Sequence, residues 1–213
     1  LLRGGRLEVL AVFDKPDPLE GPYFEETLYV TPSRLPSHVV EQISRVTSDA
    51  ATAIGLREGP VHAELRVNTG RGTPPHPRGG EPAVTFLELA ARSIGGLCAR
   101  ALRFGLGASL EELVLRHALG MSLEGLRREP HASGVMMLPI PRVGTLEEVR
   151  GRAQARAVPG IVGLEITIPP GGQVEPLPEG DRYLGFLFAR GETPEDVEVA
   201  LRKAHACLEV VIA

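Results

Sequence analysis

The sequence has no tryptophan, only 4% aromatic residues and two cysteines among 213 residues. So few rings argue against a surface that binds single-stranded nucleic acid by base stacking. The net charge of −4 likewise gives no reason to expect a polyanionic partner such as nucleic acid. Cys98 and Cys207 form neither a CxxC pair nor part of a histidine cluster, so we predict buried, reduced thiols instead of a disulfide or a zinc site.

Long apolar runs, a secretory leader and lysine are also lacking. No run approaches the ~20 apolar residues of a membrane span, and no basic start precedes an apolar leader, so we expect a cytoplasmic protein without a membrane partner. Lysine occurs only at Lys15 and Lys203, which leaves almost none to hold nucleotide phosphates. The chain opens without methionine close to a Gly4-Gly5 turn, which we interpret as a start inside a fold.

The first 130 residues contain segments with strand and helix periodicity. Period-2 or β-branched runs predict strands, and apolar residues three to four apart predict helices. A helix from Ser37 to Gly55 and a second one opened by a Ser109/Glu112 capping box are expected. The predicted strands cover 6–13, 27–31, 60–68 and 83–91, and the second helix covers 109–120. A Pro- and Gly-rich loop should separate the last two strands.

The pattern restarts after residues 127–130. It predicts strands at 133–140, 161–168, 182–189 and 208–212, with helices at 146–158 and 193–208. This β-α-β-β-α-β order is that of a ferredoxin-like split βαβ unit. We therefore predict an α+β protein of two domains: residues 1–130, an antiparallel sheet with helices, and residues 131–213, a small βαββαβ-like domain.

Two neighbouring strands carry acidic and basic side chains on one face. In the first strand, His62, Glu64 and Arg66 alternate with apolar residues. In the second, Glu88 shares a face with Phe86, Ala90 and Arg92. If the strands are antiparallel neighbours, Glu64 and Glu88 point at one cleft, where a divalent cation would relieve their repulsion. The alternative is a solvated face with ordinary cross-strand ion pairs.

A glycine pair and three arginines follow the second strand. Arg92 is able to grip a phosphate bidentately, and Gly95 with Gly96 allows backbone N–H groups to approach an anion at a helix start. Arg100 and Arg103, on the helix expected there, would face a carboxylate substrate or be ordinary surface arginines.

These residues resemble a known family. The runs "GPVHAELRV" and "LELAARSIGG" are similar to the C-terminal half of an ATP-grasp domain, whose pattern is His-x-Glu followed by Glu-x-Asn-x-Arg-x-x-Gly-Gly. The resemblance implies ATP and Mg²⁺ (or Mn²⁺) as cofactors. It makes Glu64 and Glu88 metal ligands and Arg92 the clamp for the transferred phosphoryl group. The chain departs from the pattern at Ala90, where the family commonly has asparagine as a further metal ligand.

The resemblance covers nearly the whole chain. The segment "VFDKPDPLEGPYFEETLYVTPSRLP" resembles a Phe-x-Glu-Thr-Gly-His segment of carboxylate–amine ligases, with Glu26 and Thr27 matching and Leu28 and Tyr29 in place of Gly-His. The resemblance implies that Glu26 lines a substrate pocket and that His62 also belongs to this pocket. The tail from 185 onward resembles the lid domain of the biotin-carboxylase-like and amino-acid-ligase branches.

The implied function is that of a ligase. Such an enzyme activates a small carboxylate as an acyl phosphate and joins it to an amine. The adenine pocket and phosphate-binding lysines would come from an upstream ATP-grasp lobe of the same chain, so residues 1–213 alone are expected to be inactive. A homodimer is a further expectation. The alternative is a degenerate, non-catalytic ligand-binding or subunit-pairing module, which Ala90 favours and the retained Glu64, Glu88 and Arg92 oppose.

Overall fold

The computed structural model describes residues 1–17, 27–68, 83–95, 97–105 and 107–213. A short 3₁₀ turn covers Cys98–Ala101. In chain order the regular elements are β1 (Leu2–Arg3), β2 (Arg6–Leu7), β3 (Leu28–Thr31), α1 (Ser37–Ala53), β4 (His62–Asn68), β5 (Ala83–Ala90), α2 (Leu110–Ala118), β6 (Ala132–Leu138), β7 (Gly144–Arg150), α3 (Arg152–Ala157), β8 (Ile161–Ile166), β9 (Gln173–Val174), β10 (Gly185–Gly191), α4 (Pro194–Ala206) and β11 (Glu209–Ile212). Antiparallel sheets with few helices confirm the predicted α+β class.

The chain forms two compact units, and neither is one continuous segment. Unit 1 comprises Leu1–Val12, Arg34–Ala99 and Phe104–Arg128, and unit 2 comprises Phe13–Ser33, Arg100–Arg103 and Glu129–Ala213. The predicted domains 1–130 and 131–213 are continuous. They differ from these units because Phe13–Ser33 and Arg100–Arg103 belong to unit 2. As functional domains they stay a prediction.

In unit 1 two hairpins accompany the helices α1 and α2. Strands β4 and β5 pair antiparallel, and α1 packs on β5. The buried stripe of α1 recurs every four residues at Val39, Ile43, Thr47 and Ala51, which explains why the helix was predictable. The stretch 6–13 is not the strand we predicted: β2 ends at Leu7 because the turn at Gly4-Gly5 pairs it with only two residues of β1.

The start of α2 forms half of the predicted capping box. Ser109 Oγ accepts a hydrogen bond of 3.1 Å from the backbone N–H of Glu112. The Glu112 carboxylate does not reach back to Ser109; it accepts a hydrogen bond of 2.7 Å from Arg116 Nη2, one turn later. The cap therefore satisfies one backbone donor, and the acidic residue stabilises the helix surface instead.

The described residues of unit 2 form two sheets. The larger has the order β3-β6-β10-β8 and the smaller the order β11-β7-β9. Every residue of β6 is buried, as its continuous apolar run predicted. Helix α4 packs on β6 and β10, where Gly134 permits close contact: a Cβ at Gly134 would lie 2.7 Å from Val197 Cγ1. Thr193 and Asp196 complete a reciprocal capping box at the start of α4.

The predicted βαββαβ order is only partly correct. The split βαβ unit is present, because β6 and β8 are both antiparallel to β10, which lies between them. On the other side of β6 lies β3, which pairs with β6 from Leu28↔Met136 to Thr31↔Ser133. The last strand, β11, pairs instead with β7 in the second sheet. A strand from the first part of the chain thus takes the edge that the terminal strand would fill.

The predicted helix 146–158 is a strand followed by a short helix. In β7 the buried residues Leu146 and Val149 are three apart, which is a helical spacing. The register with β11 shifts between Glu148 and Leu146, because Glu147 is an extra residue of β7 with no residue of β11 opposite it. This bulge turns two residues three apart toward the same side. Gly151, with φ of +75°, then separates β7 from α3.

Among the residues that the structure describes, none of the helices combines the length and apolar character that crossing a bilayer demands.

Candidate functional site

The hairpin of unit 1 brings the two predicted metal ligands together. In the antiparallel pair β4–β5, Glu64 lies directly opposite Glu88. Opposite residues of an antiparallel pair project on the same side of the sheet, with Cβ atoms about 4.5–5.5 Å apart. The next pair is Leu65↔Phe86, so Leu87 is an extra residue in β5. This bulge breaks the alternation between Phe86 and Glu88, which we had expected to share a face.

Glu64 is more sheltered than Glu88. The Glu64 side chain is 22% exposed and the His62 side chain 17%, and His62 Nε2 lies 4.0 Å from Glu64 Oε1. Glu88 is exposed. The residue opposite His62 is Ala90, which carries no polar atom in its side chain. The side chains therefore offer two opposing carboxylates and one imidazole on a single face of the hairpin.

Arg92 lies two residues beyond the end of β5 and is exposed. Its Nη1 donates a hydrogen bond of 2.9 Å to the carbonyl oxygen of Ser93. A Cβ at Gly95 would lie 3.5 Å from the same Nη1, so glycine leaves that side of the guanidinium open. The regular helix expected after the glycines is the 3₁₀ turn Cys98–Ala101, whose first N–H bonds the Gly95 carbonyl at 3.4 Å.

Two predicted site residues, Glu26 and Gly96, lie outside the described residues, as does the loop 69–82. The structure therefore says nothing of their roles, and the roles assigned to Glu64, Glu88, Arg92 and Gly95 stay predictions as well.

Glu64 and Glu88 provide some, but not all, of the ligands that one divalent cation needs. Opposed carboxylates provide hard oxygen ligands of the kind Mg²⁺ and Mn²⁺ prefer. Within the described ranges, no group of three or more His, Cys, Asp and Glu residues is arranged to hold a metal ion. Two glutamates would thus hold the ion only together with oxygens of a ligand or of water, as is usual for Mg²⁺ bound with phosphates.

Unit 2 holds Arg100 and Arg103, which differ in their contacts. Arg100 Nη1 donates to Glu165 Oε2 of β8. Arg103 Nη1 donates to the backbone carbonyls of Leu102 (2.7 Å) and Arg100 (3.1 Å), so its guanidinium braces the turn. Glu165 was not among the predicted site residues. The feature that could have identified it is a single carboxylate in the apolar run "IVGLEI".

A second cluster in unit 2 was also missed. Asp17 accepts hydrogen bonds from the hydroxyl of Thr27 and from Arg202 Nη2 of α4, the latter at 2.5 Å. Burial acts to raise the pKa of the Asp17 carboxyl, but these two hydrogen bonds outweigh it and hold the pKa below its ordinary value. In the same unit, Asp14 and Val30 form a main-chain bridge. Thr27, next to Glu26 in the sequence, is thereby tied to α4.

Two family models match the chain. The model of the ATP-grasp domain matches residues 2–100. The model described as L-amino acid ligase C-terminal domain 2 matches residues 136–213. No curated protein sequence gives a significant match. The two matched ranges contain the hairpin with Glu64 and Glu88 and most of unit 2, respectively.

Solved structures resemble the chain over 89–100% of its length. The L-amino acid ligase from Bacillus licheniformis has a TM-score of 0.82 and 26% identity, and covers 100% of this chain and 50% of its own. Phosphoribosylglycinamide synthetase from Anaerococcus prevotii has a TM-score of 0.75 and 11% identity, over 100% of this chain and 51% of its own. Biotin carboxylase from Campylobacter jejuni has a TM-score of 0.60 and 16% identity, over 89% and 40%.

The last two likenesses concern the fold alone, and this chain spans about half the length of the first two structures. The two family matches and the likeness to the L-amino acid ligase agree with the resemblance that the sequence predicts for the chain as a whole. The match of residues 2–100 to the ATP-grasp domain and of residues 136–213 to an L-amino acid ligase domain confirms the predicted resemblance of the chain to the ATP-grasp superfamily.

Proposed function

We propose that this chain forms part of an ATP-dependent carboxylate–amine ligase that acts on an amino acid. The observation that carries the proposal is Glu64 directly opposite Glu88, within the range matched by the ATP-grasp model. The amino acid is suggested by the match of residues 136–213 to an L-amino acid ligase domain, and by the 26% identity to such a ligase.

The proposed reaction has two steps. The substrate carboxylate attacks the γ-phosphorus of ATP, ADP leaves, and an acyl phosphate forms. The amine then attacks the acyl carbon, inorganic phosphate leaves, and the amine nitrogen loses a proton as the amide bond forms. A magnesium or manganese ion, when bound, supplies Lewis-acid stabilisation of the phosphate oxygens.

The chain's own residues have electrostatic roles in this proposal. Glu64 and Glu88 hold the cation, and their mutual repulsion in its absence makes binding more favourable. Arg92, exposed and beyond the end of β5, offsets the charge that spreads over the phosphoryl oxygens during transfer. Gly95 keeps the side of the Arg92 guanidinium free for a ligand oxygen, since a Cβ there would lie 3.5 Å from Nη1.

Other parts of the intact protein would complete the site. The chain spans about half of the related ligase, so the adenine pocket and phosphate-binding lysines are assigned to an upstream lobe. Residues 1–130 then act as the ATP-grasp lobe and 131–213 as the lid. Residues 1–213 alone are accordingly expected to be inactive, and the homodimer and cytoplasmic location remain expectations.

The test is turnover by the intact protein. Phosphate release from ATP should depend on Mg²⁺ or Mn²⁺, on a carboxylate and on an amine. Glu88→Gln should lower the rate by at least about 10²-fold, because it removes a negatively charged metal ligand. Glu147→Gln, a change at an exposed glutamate of β7, is the control and should leave the rate unchanged. Wild-type turnover in Glu88→Gln would contradict the metal role.

A non-catalytic binding module is the second candidate, and Ala90 opposite His62 is the observation that favours it. It predicts no phosphate release from the intact protein with any amino acid tried, together with calorimetric binding of the amino acid that does not require a divalent cation.

A further inference from the structure

An exposed ion pair lies on an aromatic surface of the large sheet in unit 2. The Arg100 guanidinium donates to Glu165 Oε2, and its carbon lies 5.0 Å from the centroid of the Phe188 ring. The Arg100 side chain is 50% exposed and that of Glu165 45%. The charged groups thus remain open to solvent, although the ring beneath them is buried.

The aromatic surface is fixed by packing. Phe186 and Phe188 stack at 6.4 Å, and Tyr183 meets Phe186 edge-on at 6.2 Å. Phe188 lies opposite Gly163, where a Cβ would be 3.1 Å from Phe188 Cδ2, so glycine makes room for the ring to lie against β8. Glu165 lies opposite Phe186. A guanidinium stacked on such a ring keeps one plane and presents its N–H groups along an edge.

Arg100 and Arg103 differ in how easily their hydrogen-bond partners can be replaced. The N–H groups of Arg103 bond to main-chain carbonyls, which cannot move away without unfolding the turn. The partner of Arg100 is a half-exposed side-chain carboxylate, which rotates away at little cost. Exposed ion pairs contribute little to stability because water solvates both partners when they separate. Another carboxylate is therefore able to replace that of Glu165.

We propose that Arg100 binds the carboxylate of the amino acid that supplies the amine, and that Glu165 occupies this position when no substrate is bound. This inference rests on the proposed ligase function. In that reaction one substrate carboxylate must be free to be phosphorylated. The carboxylate of the amine-side amino acid does not react, so a guanidinium can hold it throughout. The Arg100–Glu165 pair already joins a guanidinium to a carboxylate, the two groups that the proposal brings together.

The proposal predicts effects of opposite sign for the two partners. In the intact protein, Arg100→Gln should raise the KM of the amine-side amino acid at least about ten-fold, since it removes charge-assisted hydrogen bonds. Glu165→Gln should lower that KM about two- to five-fold, because the substrate no longer competes with an ion pair. The KM of ATP should change in neither variant. An ion pair that only stabilises the fold would make both variants worse.

Ligand chemistry provides the matched control. With the corresponding amino acid amide as the amine, which lacks the carboxylate, Arg100→Gln should have no effect on KM. Arg150→Gln, which breaks the similarly exposed Glu148–Arg150 ion pair of the same unit, should leave the KM of both amines unchanged. Equal effects of Arg100→Gln on the amino acid and on its amide would overturn the proposal, as would a higher KM in Glu165→Gln.

The proposal is separable from the ligase function by direct binding. Calorimetry of the intact protein with glycine and with glycinamide, in the absence of turnover, should give weaker binding of glycine in Arg100→Gln than in the wild type. If no ATP-dependent coupling occurs but this difference is found, the ligase assignment is wrong and the carboxylate site is correct. If glycine binds the wild type and Arg100→Gln equally, or binds neither, the carboxylate site is wrong.

Discussion

Replacing Glu88 by glutamine should make the metal-free protein more stable while it removes the proposed activity. Glu64 and Glu88 are directly opposite each other in β4 and β5, and like charges in this position destabilise a sheet. Nothing else in the hairpin changes, because glutamine has the shape of glutamate. The sign of the effect on stability therefore reports the charge repulsion itself.

The expected size follows from the geometry. With Cβ atoms about 5 Å apart and flexible side chains, the carboxylates lie roughly 6 Å from each other. Coulomb's law gives about 0.7 kcal/mol at the dielectric constant of water and about 2.8 kcal/mol at an effective value of 20. Because Glu88 is exposed and Glu64 only partly buried, the effect belongs near the lower figure, about 1 kcal/mol. For a chain of this size that is a rise in Tm of about 2–4 °C.

The assay is thermal unfolding at low and high ionic strength, with and without Mn²⁺. The gain in Glu88→Gln should be largest at low salt and mostly disappear at about 1 M salt, where the screening length is about 3 Å. Mn²⁺ should raise the Tm of the wild type and have little effect on Glu88→Gln. Glu147→Gln is the control and should show neither response. A Tm of Glu88→Gln at or below that of the wild type at low salt would show that the two carboxylates do not destabilise the hairpin.

Two further predictions concern unit 2. Asp17→Asn should make the free energy of unfolding depend less on pH in the acid range. Hydrogen bonds from Thr27 and Arg202 lower the pKa of Asp17 in the folded state. The stability that Asp17 contributes is therefore complete above its unfolded pKa of about 3.9 and is lost as the pH falls through the folded pKa. Urea unfolding between pH 2 and pH 6, at about one-unit intervals, measures this, and an unchanged profile would contradict it. Met137→Asp, in the buried strand β6, should lower the free energy of unfolding by about 3–5 kcal/mol because it buries an unpaired carboxylate. Val162→Asp, at an exposed position of β8, should change it by less than ~1 kcal/mol in the same urea titration, and equal losses would contradict the burial argument.

Local patterns in the sequence were sufficient for several features. The period-2 alternation in 60–68 and 83–91 predicted the pair of strands that places Glu64 opposite Glu88. The continuous apolar run around Met137 predicted a fully buried strand. The Thr193-Pro194 start of α4 was also predictable, because a helix cap depends only on residues a few positions apart. In each case the determining contacts are short-range or follow from a simple repeat.

Bulges and partner choice needed the tertiary structure. An extra residue in β7 gave Leu146 and Val149 the spacing of a helix, and the extra residue Leu87 interrupted the alternation of β5. Neither bulge could be predicted from the residues of its own strand. Likewise, only pairing between distant segments decided that β3, not β11, lies beside β6. Arg100 and Glu165 are 65 residues apart, and no local period links them. Local sequence patterns identify the segments that form helices and strands and the residues that carry charge. Long-range pairing selects which of these segments meet, because hydrogen-bond register between strands depends on both partners at once.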